Sequence, residues 1–254
     1  RRGFTSQSIR AFCDDVGVTT QESVIDVARL ENALRDHLNK IAPRTMSVLR
    51  PLKVTIENWP EGKTDDLDFV VNPEDEAAGK RKVTFGKTIY IEREDFMETP
   101  AKGFFRLAPG QEVRLRWAYF ITCTGVVKDS AGNVTEVLAT YDPQTRGGDA
   151  PVGADGKPIK KVKGTIHWVN ADLAARAEVR LFDRLFSAEA PGARTGNQVD
   201  DLNPSPLEIV DASAATTTAR LSGPPRLADE RVGAVFARFA GSAGYQGHRL
   251  GNDD

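Results

Sequence analysis

Phe104-Phe-Arg-Leu-Ala-Pro-Gly-Gln-Glu-Val-Arg-Leu-Arg-Trp-Ala-Tyr119 is the stretch on which the fold turns. It reads as two strands joined at Pro109-Gly110, since proline pre-sets the first φ of a type II turn and glycine accepts a positive φ at the second position. Beyond the turn, Val113, Leu115, Trp117, Tyr119 and Ile121 alternate with Arg114, Arg116 and Ala118. Side chains on one strand face recur every second residue at ~3.3 Å rise, which projects two guanidiniums from one face roughly 6.6 Å apart. That spacing suits successive phosphates or bases of an extended nucleic-acid strand. A half-buried strand with a merely solvated outer face explains the same pattern.

The totals restrict the choice. A chain of 254 residues suggests one large β-domain or two modest ones. Its formal net charge of −2 excludes a globally basic protein, so any nucleic-acid surface is a local patch. Cys13 and Cys123 are too few for a disulfide framework or a zinc site, and a reducing compartment is the default. No apolar run is long enough to span a membrane, and no signal-peptide core follows Arg1, so the reading is soluble and cytoplasmic. His37, His167 and His248 stand at no metal-ligand spacing. Neither a phosphate loop nor a Gly-x-Ser-x-Gly elbow occurs. Binding is expected, with no catalytic residue and no metal.

Along the chain, the first forty-odd residues read as helices. Thr5 caps the first, Ile9, Phe12, Cys13 and Val16 form its apolar face, and Gly17 stops it. Thr19 or Thr20 opens the second, whose stripe runs Val24, Val27, Ala28, Leu34, Leu38 and Ile41 until Pro43 ends it. Arg44 then stands where the helix macrodipole favours a cation. The rest reads as short strands with turn signals: 52–57, 69–71, a pair within 83–91 turning at Gly86-Lys87, a hairpin across 128–133, Ile166–Val169, 177–182 and 207–210. Many short strands without alternating helices point to barrels or sandwiches rather than a parallel α/β sheet.

Several of these runs together resemble one family, the glutaminyl-tRNA synthetases. They are Arg1-Arg-Gly-Phe-Thr with Ile9-Arg10, Ala42-Pro-Arg-Thr-Met46, Val54-Thr-Ile-Glu-Asn58, Val113-Arg-Leu-Arg116, Ile166-His-Trp-Val169, and Glu178-Val-Arg-Leu-Phe-Asp-Arg-Leu-Phe186, continued by Asn203-Pro204 and Leu207. The family's catalytic signatures, His-x-Gly-His-like and Met-Ser-Lys-like, do not occur. The resemblance therefore implies the C-terminal, anticodon-binding part of such an enzyme, mainly β, with two antiparallel β-barrels after a short α-helical connector. Its implied divisions are a connector over 1–45, a proximal barrel from 46–100 with 170–254, and a distal barrel over 101–169.

Further expectations follow from the same resemblance. The parent is a glutamine–tRNA ligase using ATP with Mg, the partner is tRNA-Gln, no cofactor belongs to this part, and the state is monomeric. Carried over by residue, Arg44 meets the middle anticodon base, Arg106 the third, and Arg114 with Arg116 the first. Guanidiniums suit splayed bases because the planar fork matches base edges and phosphates and also stacks. Phe104 and Phe105 are candidate stacking platforms. Arg146, Lys157, Lys160, Lys161 and Lys163 are candidate phosphate contacts.

This sequence departs from the family pattern at Thr20, Gly103 and Phe105, and again over 212–254, where Arg238 receives no base. The nearest alternative is the anticodon-binding region of an archaeal/eukaryotic-type glutamyl-tRNA synthetase. Others are a stand-alone RNA-binding β-barrel protein and a purely structural β-scaffold.

Overall fold

The computed structural model describes residues 4–21, 23–42, 44–152, 158 and 162–214. Helix α1 (Ser6–Val16) stops as expected at Gly17, where a φ of +74° and an N–H bond to the Cys13 carbonyl at 2.9 Å close the last turn. Helix α2 (Val27–Ile41) starts later than Thr19 or Thr20. Its N-cap is Asp26, whose carboxylate accepts the Ala28 N–H at 2.9 Å, and aspartate outranks threonine in that role. Arg29 of α2 pairs with Asp15 of α1 at 2.7 Å. The helical stripes are less buried than their spacing implies, with only Ser8 and Leu34 buried within the two helices.

Among the described residues twelve strands follow: β1 (Ser47–Val48), β2 (Pro51–Ile56), β3 (Asp65–Val70), β4 (Lys80–Phe85), β5 (Thr88–Glu92), β6 (Glu112–Leu115), β7 (Phe120–Lys128), β8 (Val134–Asp142), β9 (Thr165–Ile166), β10 (Val169–Asn170), β11 (Ala175–Phe182) and β12 (Leu207–Ala214). Seven of them form one sheet in the order β10-β5-β2-β8-β7-β6-β9. The sheet is mixed, because β2 runs parallel to β8 and β6 parallel to β9. Its shape follows from connectivity. A flat seven-stranded sheet holds its edges roughly 29 Å apart at normal strand spacing. Here the edge strands β9 and β10 are joined by His167-Trp168 alone, so Ile166 and Val169 lie at most ~11 Å apart. The sheet must therefore curl until its edges face each other, and Trp168 is fully buried in the join. This is a curled half-barrel. Two closed antiparallel barrels are not seen among the described residues.

The paired ribbon β3-β4 inserts Leu67, Phe69, Val83 and Phe85 into the core of that curl. There Phe85 meets Trp59, Tyr119 and Trp168 with ring centroids 4.9–5.3 Å apart, an edge-on to tilted arrangement that aromatic quadrupoles favour. The expected pair within 83–91 is not a hairpin. β4 pairs with β3, whereas β5 crosses into the large sheet between β2 and β10. The hairpin across 128–133 is present as β7-β8.

The opening stretch is only half as expected. Pro109-Gly110 does make its turn, with Gly110 at φ +73° and the Gln111 N–H on the Ala108 carbonyl at 2.8 Å. No strand precedes it. Leu107 instead donates to the Asp95 carbonyl at 3.0 Å and accepts from Met97 at 3.1 Å, so this segment pairs with the loop over 95–97. The second strand is shorter too: β6 ends at Leu115, and Arg116 to Tyr119 turn it back onto β7. Likewise Ile166–Val169 is not one strand, since the join at 167–168 divides it.

The described residues divide into two compact units, 6–177 with 212–214, and 4–5 with 178–211. The seven-stranded sheet and the β3-β4 ribbon lie in the first, where Ser47 and Val48 also pair with Ala214 and Ser213. In the second, the loop between β11 and β12 is closed by a bond from Asp183 N–H to the Pro206 carbonyl at 2.8 Å. Its buried Asp201 accepts the Gly192 N–H at 2.8 Å. No helix among the described residues is long and apolar enough to cross a membrane.

Candidate nucleic-acid interface

The end of β6 and the turn after it carry the first two arginines. Arg114 is opposite Phe120 of β7, and its N–H bonds the Gly164 carbonyl at 2.9 Å. The guanidinium carbon lies 5.3 Å from the Phe120 ring centroid, within cation–π range, and Nε is buried without a hydrogen bond. Arg116 is anchored through its backbone, with N–H to Ile166 at 2.9 Å and its carbonyl accepting from Trp168 Nε1 at 3.1 Å. Its guanidinium sits 4.4 Å from the Trp117 centroid. Trp117 itself has φ +55°, a left-handed conformation that costs a bulky residue energy and that the surrounding fold must enforce. It is fixed by the tight turn, where Ala118 N–H bonds Leu115 at 3.0 Å and Leu115 N–H bonds Tyr119 at 2.8 Å, and by its ring against Phe69 at 5.0 Å.

Phe105 joins this neighbourhood. Its ring is 53% exposed and lies 4.8 Å from Lys163 Nζ. A Cβ on Gly164 would collide with the Phe105 carbonyl oxygen, so glycine alone lets the two backbones meet beside Arg114. Phe104 is half-buried.

Three other arginines are held by carboxylates. Arg106 turns to Asp95, at 2.5 Å, a carboxylate only 7% exposed. Burial pushes the Asp95 carboxyl up, and the Arg106 charge offsets this only in part. Behind it, burial pulls His167 down, but a bond to Glu92 and the charges of Asp95 and Glu92 prevail and raise it. Glu92 ends below its usual range. Burial is outweighed by His167 and by the Leu49 and Arg50 N–H groups at 2.7 and 3.1 Å. Arg44 stands past the end of α2, donating to Asn39 O and Oδ1 at 3.5 and 3.4 Å and to Glu74 at 3.3 Å. Asn72 caps the same helix end through the Asn39 and Lys40 carbonyls. Arg146 grips Asp65 side-on, Nε and Nη2 each at 2.8 Å, which lowers Asp65 and raises Arg146. Tyr119 completes that group with a 2.5 Å bond to Asp65.

The residues thus converge on separate places. Arg114, Arg116, Phe105 and Lys163 cluster about the 163–166 backbone, whereas Arg44, Arg106 and Arg146 each stand with a different acid. Lys157, Lys160 and Lys161 lie outside the described residues, as does Arg238. Sequence reasoning missed the acids Glu74, Asp95 and Asp65 and the ring Trp117 in its turn. Nothing local marked them, because each becomes a partner only through the fold.

Two family models match, both described as tRNA synthetases class I (E and Q), anti-codon binding domain, over residues 42–142 and 165–222. A glutamine–tRNA ligase of Rhodopirellula baltica is 50% identical over 92% of this chain and 38% of its own length. Those of Bradyrhizobium diazoefficiens and Clostridium kluyveri are each 49% identical, over 86% and 83% of this chain and 39% and 37% of theirs. The chain spans about two fifths of the length of these relatives.

Proposed function

Since the chain belongs to the family of anticodon-binding domains of class I tRNA synthetases for glutamate and glutamine, we propose that it reads the anticodon of tRNA-Gln for a glutamine–tRNA ligase. The parent enzyme would aminoacylate that tRNA with ATP and Mg, in the cytoplasm and as a monomer. The residues present here contribute recognition, not catalysis. The observation that carries the reading is the ring-backed pair Arg114 and Arg116, locked to the 164–166 backbone. A guanidinium held against a ring keeps its positive charge, which suits a base or phosphate. Phe105 and Lys163 beside it supply an exposed ring for stacking and a charge for phosphate. Arg106 and Arg44, neutralised by Asp95 and Glu74, suit the uncharged acceptor edges of the third and middle bases. A two-barrel architecture, with a proximal barrel from 46–100 with 170–254 and a distal barrel over 101–169, belongs to the same proposal.

The test is binding of hairpin RNAs carrying glutamine or glutamate anticodon loops. The glutamine loop should bind more tightly. Arg116→Ala should weaken it by about 1–3 kcal/mol and relax preference at one anticodon position. Unchanged affinity and preference would refute the reading, and a preference for the glutamate loop would favour the glutamyl enzyme.

A further inference from the structure

One arginine of the larger unit is half-buried and has no acid beside it among the described residues. Arg81 stands on β4 opposite Phe69 of β3. Among the described residues its guanidinium makes one hydrogen bond, from Nη1 to the Thr45 hydroxyl at 3.1 Å, and no ion pair. Its Nε is buried and unbonded. Burial alone moves Arg81, below its ordinary value, and no carboxylate opposes the shift. Arg44, Arg106 and Arg146 each have an acid and Arg114 rests against the Phe120 ring, whereas among the described residues Arg81 has neither.

Its position matters as much as its charge. Thr45 follows Arg44 directly, and the Arg44 N–H bonds the Val71 carbonyl at 2.9 Å, just past the end of β3. Through Thr45, Arg81 therefore stands beside Arg44 at one end of the β3-β4 ribbon. The Nε–Nη2 edge of a guanidinium takes an oxyanion side-on, as Arg146 does with Asp65. On Arg81 the Nε of that edge is closed to solvent, which leaves Nη2 and the Thr45 hydroxyl to meet an anion.

We propose that Arg81, with the exposed Thr45 hydroxyl, is a phosphate-binding site beside Arg44, taking a phosphodiester of the RNA strand whose base Arg44 meets. This rests on the anticodon reading above. The division of labour follows from charge. Arg44, offset by Glu74, gains little from an anion and suits a neutral base edge, whereas the uncompensated Arg81 gains most from a phosphate.

The test uses the whole 254-residue chain and the glutamine-loop hairpin RNA, with affinity measured across a salt series. Arg81→Gln should weaken binding about tenfold and lower the slope of log affinity against log salt by about 0.7, the value for one phosphate on a single strand. Arg81→Lys should keep the slope and lose part of the affinity, since an ammonium keeps the charge but lacks the planar, fixed donors of the guanidinium. A neutral methylphosphonate at the contacted linkage should make wild type and Arg81→Gln bind alike. Unchanged affinity and slope in Arg81→Gln, with Arg116→Ala still weakened, overturns the site and leaves the anticodon reading intact. Indifference to both changes defeats that reading as well. A loss of affinity at constant slope overturns the phosphate assignment in favour of a base. If Arg81→Gln fails to fold, the linkage scan on wild type and Arg81→Lys decides. One neutral linkage must cost wild type more affinity than it costs Arg81→Lys, and equal losses at every linkage overturn the site.

Discussion

Arg106 and Arg114 illustrate two ways of holding a cation. Arg106 is bound to an almost buried acid, and Arg44 and Arg146 follow the same plan with Glu74 and Asp65. Arg116 and Arg114 rest against Trp117 and Phe120. An acid fixes a guanidinium by neutralising it and occupying one donor edge. A ring fixes it through a face, leaving charge and donors available.

The sharpest way to break this contrast is at Phe120. It is fully buried, so Phe120→Ala should destabilise the chain by about 3–5 kcal/mol in urea unfolding. Phe120→Leu keeps most of the packing and should cost under about 1.5 kcal/mol. It still removes the ring, and RNA affinity should fall beyond what the stability loss explains. Equal affinity in Phe120→Leu would show that the ring does not orient Arg114.

Next in size is Asp95→Asn. Losing the charge leaves Arg106 without its counter-ion, and urea unfolding should register about 1–3 kcal/mol. The salt slope of RNA binding should steepen, because Arg106 then carries an unopposed charge. An unaltered slope would mean that the acid does not set the role of Arg106.

The smallest effect is on pH dependence. His167 lies above its ordinary 6.5 in the fold, so its favourable contribution is complete below that value and fades as pH rises through the raised one. Glu92 lies below its ordinary 4.5, so its contribution is present above that value and fades as pH falls through the depressed one. The pair therefore stabilises most between those limits. His167→Gln should flatten the alkaline side of the stability profile above pH 6.5, and an unchanged profile there would refute the coupling.

Features governed by neighbouring residues were legible in the sequence. Gly17 ended its helix, Pro109-Gly110 turned, and 128–133 closed a hairpin, because each depends on backbone preferences within a few residues. The ordered motifs from Ala42 to Phe186 carried the family resemblance, which the matches over 42–142 and 165–222 bear out. Alternation misled over Trp117 and Tyr119, since a strand face and a tight turn entering an aromatic core can bury the same residues. Only the tertiary structure decided which acid each arginine meets. Asp65 and Arg146 are 81 positions apart, and no local preference specifies such a pair. Only the fold, again, decided that the sheet curls. Ile166-His-Trp-Val169 reads as one strand, yet its two halves join opposite edges of a seven-stranded sheet, and pairing across that distance is settled by the whole core.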